Sequence, residues 1–205
     1  MSEITNLEVQ KNNPERINLY LDDKFYCGIS VELVIKNHLK VGLEITKDSL
    51  DELVLEDEKG KALSKAVKYI SSNLKTTRQI RDYLKKKDYN PNTIEYVIDK
   101  LKEYSYLDDE AYCKAFISTY SHKYGKLKII STLKSRGVSD KTIDNVFSEE
   151  INLKDSIESV ANKYLKNKER NSETYLKLSR FLYSRGYEFD DINRLINILK
   201  EEEKC

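Results

Sequence analysis

Turn-forming residues are scarce in this chain, which has six glycines and two prolines among 205 residues. Many-stranded β folds need a turn signal about every 8–12 residues, so the shortage favours helices. No apolar run approaches the roughly 20 residues that a membrane-spanning helix requires. The opening Met1-Ser2-Glu3-Ile4-Thr5 lacks the basic start and apolar core of a secretory signal. Three widely spaced cysteines, Cys27, Cys113 and Cys205, suit reduced thiols in a cytoplasmic protein better than a disulfide framework. With no close cysteine pair and only His38 and His122, no zinc site is expected. Charge of one sign is missing too, since 36 Lys/Arg offset 35 Asp/Glu for a net charge of +1. That balance, with 39% hydrophobic residues, separates the chain from one-signed disordered sequences.

The near-neutral total conceals an asymmetry. Residues 1–59 hold 7 Lys/Arg and 13 Asp/Glu, net −6, whereas residues 60–205 hold 29 and 22, net +7. An acidic head joined to a basic body suits an anionic partner for the body.

The body is a repeat with a period of 49 residues. Apolar columns recur without gaps at Ile80, Ile129 and Leu178; Leu84, Leu133 and Leu182; Tyr89, Val138 and Tyr187; and Ile94, Ile143 and Ile192. The register continues at Val97, Val146 and Leu195 and at Ile98, Phe147 and Ile196. Upstream it holds at Ala62, Ala111 and Val160 and at Val67, Phe116 and Leu165. A period of this size marks stacked supersecondary units.

Each unit reads as three helices. In the first unit, Leu63, Val67, Ile70 and Leu74 fall at helical spacing. A second helix is expected from about Thr77 to Lys87, followed by a turn at Asp88-Tyr89-Asn90. Gly137 and Gly186 occupy the matching turns and suit a left-handed residue after a helix end. Asn90 before Pro91, and Ser139 in the next copy, are N-caps for the third helices; Glu188 is a poor one.

The first 59 residues differ. Ile17–Leu21 and Lys24–Gly28 read as strands around an Asp22-Asp23 hairpin loop, and Ile4–Gln10 as a third strand. Ser30 can cap a short helix over Val31–Leu39, and Ser49–Asp57 reads as another. The fold class is therefore mainly α: three tandem three-helix repeats in an elongated, curved array behind a small N-terminal β-hairpin/helix extension. The expected boundaries are 1–59 for the head and 60–107, 108–152 and 153–205 for the repeats.

Charge is segregated within the repeats. Residues 76–87, 125–136 and 174–185 carry net +4, +4 and +3, whereas the aligned third helices (92–103, 141–152, 190–201) carry −1, −2 and −1. The candidate binding residues are Arg78, Arg81, Lys85 and Lys86, then Lys126, Lys128, Lys134 and Arg136, then Lys177, Arg180 and Arg185. A stripe of cations facing an acidic protein or a phosphate backbone is one explanation. Pairing with the acidic third helices is the other, and exposed pairs of that kind stabilise by only about 0–1 kcal/mol each. A groove-reading helix-turn-helix is disfavoured, because the helix after Gly137 carries Asp140, Asp144, Glu149 and Glu150. Backbone contact is the expected mode for any nucleic acid.

No Gly-rich phosphate loop, nucleophile elbow or metal-ligand His pair is present, so neither catalysis nor a cofactor is expected. Asp108-Asp109-Glu110 is the tightest acidic cluster, and it fits a capped helix start better than a Mg²⁺ site. Most of the 15 tyrosines, such as Tyr112 and Tyr164, fall on core-facing columns, whereas Tyr69, Tyr106 and Tyr183 are candidate exposed anchors.

The segment Leu101-Lys-Glu-Tyr-Ser-Tyr-Leu-Asp-Asp-Glu-Ala-Tyr-Cys-Lys-Ala-Phe116 resembles the signature of the RecX regulatory family. So do Ile129-Ile-Ser-Thr-Leu-Lys-Ser-Arg-Gly-Val138 and Tyr83–Lys87, while Ile4–Gly42 is similar to the extension of Firmicute-type members. The chain departs from the pattern in having Asp88 where Gly is usual, and Lys126-Leu127-Lys128 where an Arg-rich start is common. The resemblance implies tandem three-helix units that wind along a RecA filament on single-stranded DNA. It also implies restraint of RecA's ATPase, strand-exchange and co-protease activities in DNA repair and the SOS response, without chemistry by the regulator. A monomer is expected, and a sequence-nonspecific nucleic-acid backbone binder is the alternative.

Overall fold

A computed structural model describes residues 1–148 and 154–202. The chain divides into two compact units. The first holds Met1–Ser72 and Tyr83–Glu103; the second holds Asn73–Asp82 and the described residues from Tyr104 onward. Among the described residues, no helix is long and apolar enough to cross a membrane.

The first unit begins with an antiparallel sheet. Its strands are β1 (Ser2–Gln10), β2 (Asn13–Leu21), β3 (Lys24–Ser30) and the short β4 (Glu44–Ile45), in the order β3-β2-β1-β4. Asp22 and Asp23 join β2 to β3 with φ of 48° and 62°. Two successive left-handed residues match the right-handed twist of the flanking strands, and Asp tolerates that conformation. The expected hairpin is thus present, and β1 and β4 widen it to four strands. Ser30 caps α1 (Val31–Lys36) by accepting from the Leu33 N–H. Ile4, Leu19, Ile29, Leu33, Val34 and Leu50 form the core of the head.

The head connects to the repeats through one 24-residue helix, α2 (Lys47–Ile70), capped by Thr46. The sequence pattern predicts two helices over this segment. Gly60 is the weakest helix former near the expected break, and one glycine costs about 1 kcal/mol, too little to end a helix alone. The buried face also differs. Ala62 and Ala66 are fully buried, whereas Val67 and Leu74 are 40% and 57% exposed. Small side chains face α4 (Pro91–Glu103), which packs on α2 with Ile94, Val97, Ile98 and Leu101 buried.

Between them lies α3 (Thr77–Lys85). The second repeat comprises α5 (Asp109–Tyr120), α6 (Lys126–Ser135) and α7 (Asp140–Ser148). The third comprises α8 (Lys154–Leu165), α9 (Ser172–Ser184) and α10 (Phe189–Glu202). Most of the repeat columns lie in the cores of these units, although Val67 and Ala111 of the upstream columns are exposed. Ile129, Leu133, Val138, Ile143 and Val146 pack with Cys113, Phe116 and Ile117 of α5. Leu178, Leu182, Tyr187, Ile192 and Leu195 pack with Val160, Ala161 and Leu165 of α8. Tyr112 is buried and Tyr164 packs against its core, as their columns predict.

Candidate binding surface

The basic helices α3, α6 and α9 are built alike. Each places two aliphatic residues inward: Ile80 and Leu84, Ile129 and Leu133, Leu178 and Leu182, all at most 1% exposed. Each ends in the same turn. The amides of Tyr89, Val138 and Tyr187 donate to the carbonyls of Leu84, Leu133 and Leu182. Between them Asp88, Gly137 and Gly186 are left-handed, with φ of 60°, 85° and 82°. This is a Schellman ending, and the apolar pair that closes it is a repeat column in every copy. Asn90 and Ser139 then cap the next helices through the amides of Thr93 and Thr142.

The starts of α3 and α6 are joined to the repeat that follows. Thr76 and Gln79 form a reciprocal capping box: the Thr76 N–H donates to Gln79 Oε1, and the Gln79 N–H to Thr76 Oγ1. The Thr76 hydroxyl is thereby fixed, and it also donates to the Arg136 carbonyl at 2.6 Å, in the turn that ends α6. One period later Gly125 replaces Thr76, and its amide donates to the Arg185 carbonyl at 3.0 Å, in the turn that ends α9. The Leu127 N–H donates to the Gly186 carbonyl at 3.1 Å. The first turn of α3 therefore meets the last turn of α6, and the first turn of α6 meets the last turn of α9. In each contact the positive end of one helix dipole faces the negative end of the next.

The predicted residues fall into three groups. Arg136 and Arg185 are half-buried and stacked. The Arg136 guanidinium lies 4.6 Å from the Phe116 ring centroid and donates to the Tyr112 hydroxyl. That of Arg185 lies 4.9 Å from the Phe181 centroid and 5.4 Å from that of Tyr124. Arg81 is half-buried and engaged within the protein. A second group is exposed but paired or stacked at the surface. Arg78 lies 3.8 Å from Asp82, Lys134 2.8 Å from Asp140, and Lys177 2.6 Å from Glu173. Lys126 lies over Phe147 at 5.6 Å. Hydrogen bonds and charge raise the pKa of Lys134 and Lys177 and lower that of Glu173, so all three stay ionised near neutrality. The third group, Lys85, Lys86, Lys128 and Arg180, is exposed and makes no ion pair among the described residues.

Lys134 pairs with an acidic third helix, through Asp140, whereas Arg78 and Lys177 pair within their own helices; Glu149 and Glu150 lie outside the described residues. Other features of these helices lay outside the charge pattern. Leu127, Leu176 and Tyr183 are 50%, 53% and 67% exposed on α6 and α9, so the surface is amphipathic as well as basic. Tyr106 is also exposed, at 57%, whereas Tyr69 stacks on Tyr83 with centroids 4.2 Å apart.

The acidic cluster has structural partners. Asp108 caps α5 by accepting from the amides of Glu110 and Ala111, and Asp109 accepts from the Thr77 N–H at 2.8 Å. His38 and His122 are both exposed. Among the described residues, no three His, Cys, Asp or Glu side chains group to hold a metal ion.

Comparison with known proteins agrees with this architecture. Four family models match in succession: the regulatory protein RecX N-terminal domain over residues 2–46, and the first, second and third three-helix domains of RecX over 62–101, 108–146 and 154–196. A regulatory protein RecX from Clostridium tetani is 37% identical, with 97% of this chain and 95% of that one covered. One from Bacillus subtilis is 31% identical over 97% of this chain and 78% of its own. A crystal structure of regulatory protein RecX superposes with a TM-score of 0.70 at 22% identity, covering 96% of this chain and 99% of its own. The chain belongs to the RecX regulatory protein family.

Proposed function

We propose that this protein binds the RecA filament on single-stranded DNA and restrains RecA's ATPase, strand-exchange and co-protease activities, as a cytoplasmic monomer with no catalysis of its own. The units of this activity are the head, residues 1–59, and three modules over 60–107, 108–152 and 153–205. Support comes above all from the basic second helices, linked start to end and carrying cations in every module. Family membership points the same way. A partner that repeats along its length can engage one module after another, so weak contacts add through effective concentration. Arg78, Arg81, Lys85, Lys86, Lys126, Lys128, Lys134, Lys177 and Arg180 face the filament, whereas Arg136 and Arg185 hold the helix ends to their own modules. RecA-dependent ATP hydrolysis on single-stranded DNA should fall on addition of the protein. No change at equimolar or higher protein contradicts the proposal.

A second possibility is binding to a bare nucleic-acid backbone, favoured by the exposed cations alone. It predicts tight, strongly salt-dependent binding to uncoated DNA. Weak binding to bare DNA beside tight binding to the filament excludes it.

A further inference from the structure

We infer that Thr76, Gly125, Gly137 and Gly186 are positioning residues that lock the basic helices α3 and α6 each to the turn of the following module, and so fix the spacing at which the cations meet a repeating partner. The inference rests on the filament-binding proposal.

The joint occurs twice with the period of the sequence. Residue 76 donates to the carbonyl of residue 136, and residue 125 to that of residue 185. In the second joint, backbone meets backbone. A Cβ added to Gly125 would overlap the Gly186 carbonyl, and one added to Gly186 would overlap the Lys128 amide and Cβ. In the first, a Cβ on Gly137 would overlap the stem of Arg78. Gly137 and Gly186 are thus required twice over, by their left-handed backbone and by the helix seated on them. Asp88 supplies the contrast. It has the same conformation, with φ of 60°, but no three-helix module precedes it. Only the conformational demand remains there, and Asp meets it better than most side chains. With no helix start seated on it, position 88 tolerates Asp in place of the usual Gly.

Several weak sites reinforce one another only when their spacing matches that of the partner, and the gain disappears when geometry forbids simultaneous contact. A loosened joint should therefore act on valency. Fewer cations engage together, and the salt dependence of binding becomes shallower. A variant that merely reduces the folded fraction keeps the original slope.

The test compares Gly186→Ala with Asp88→Ala in the full chain. Both place Ala in a left-handed turn, but only the first disturbs a joint. Amide exchange at Gly125 and Leu127 reports the joint, and exchange at Leu133 reports the module core. Binding to RecA filaments on single-stranded DNA is measured over a series of salt concentrations. Gly186→Ala should speed exchange at Gly125 and Leu127 while leaving Leu133 protected. It should weaken filament binding about tenfold or more, with a shallower salt slope. Asp88→Ala should leave both measurements near those of the unaltered protein. Should Gly186→Ala fail to fold, Thr76→Val, which removes the hydroxyl donor to Arg136, should reproduce the loss and Thr76→Ser should restore it. An opened joint with unchanged affinity and slope overturns the positioning role and leaves filament binding intact. Equal losses in Gly186→Ala and Asp88→Ala also overturn it. If the unaltered protein does not bind the filament, the functional proposal fails and the inference with it.

Discussion

Asp57 ties the head to the helix that leads into the repeats, and replacing it tests how firmly. Asp57 is 4% exposed, and its carboxylate sits between Arg16, with Nη1 at 3.2 Å, and Lys61, while accepting the Ser30 N–H at 3.0 Å. Burial opposes ionisation, but Lys61, the Ser30 amide and Arg16 together outweigh it and hold the carboxyl below its usual range. Asp57→Ala orphans a partly buried amide and leaves two cations without their carboxylate. Breaking a buried pair costs about 3–5 kcal/mol. The Arg16 and Lys61 side chains keep 18% and 38% exposure, so water recovers part of that. A loss of about 2–3 kcal/mol is expected once the orphaned amide is included. Amide exchange should therefore quicken about 30- to 150-fold across β1–β3, with α5–α10 as the internal reference. Because the folded pKa is depressed, this stabilisation is complete above the unfolded value of about 3.9 and is lost as pH falls through the folded one. Asp57→Asn should lack that part of the acid sensitivity. Unchanged exchange in the head of Asp57→Ala would show that the carboxylate does not hold the head to α2.

Three further outcomes follow from the packing. Leu133→Ala empties a fully buried site in the middle module and should cost about 2–5 kcal/mol, read as lost exchange protection across α5–α7. Arg136→Ala removes the stack on Phe116 and the bond to Tyr112, so it should destabilise the same module by about 1–2 kcal/mol, as urea unfolding can measure. Lys128→Ala, at an exposed position, should leave urea unfolding within about 0.5 kcal/mol of the unaltered protein while weakening filament binding.

Much of the fold is legible in the sequence because one period governs it. Leu84, Leu133 and Leu182 recur at the inward position of the basic helices, with a left-handed turn four residues after each. The Asp22-Asp23 hairpin was readable from the strands around it. The continuity of α2 was not, since an acidic stretch with one glycine looks like a boundary unless the packing of Ala62 and Ala66 on α4 is known. Nor were the joints. Thr76 and Arg136 lie 60 residues apart and meet through a hydroxyl and a backbone carbonyl, groups that leave no hydrophobic or charge pattern. The Thr76-x-x-Gln79 capping box and the placement of Gly125 one period later are the traces the sequence carries. Arg136 and Arg185 count as surface cations by charge alone; only the rings beside them reveal that they stack.

The central claim is that cations on successive basic helices grip a repeating anionic partner together. Glu substitution at Lys85, Lys86, Lys128 and Arg180, singly and combined, followed by filament binding across a salt series, tests it most directly. Losses should grow with each module altered, with a progressively shallower salt slope and unchanged thermal melting. Full binding and full inhibition by the combined variant would contradict it.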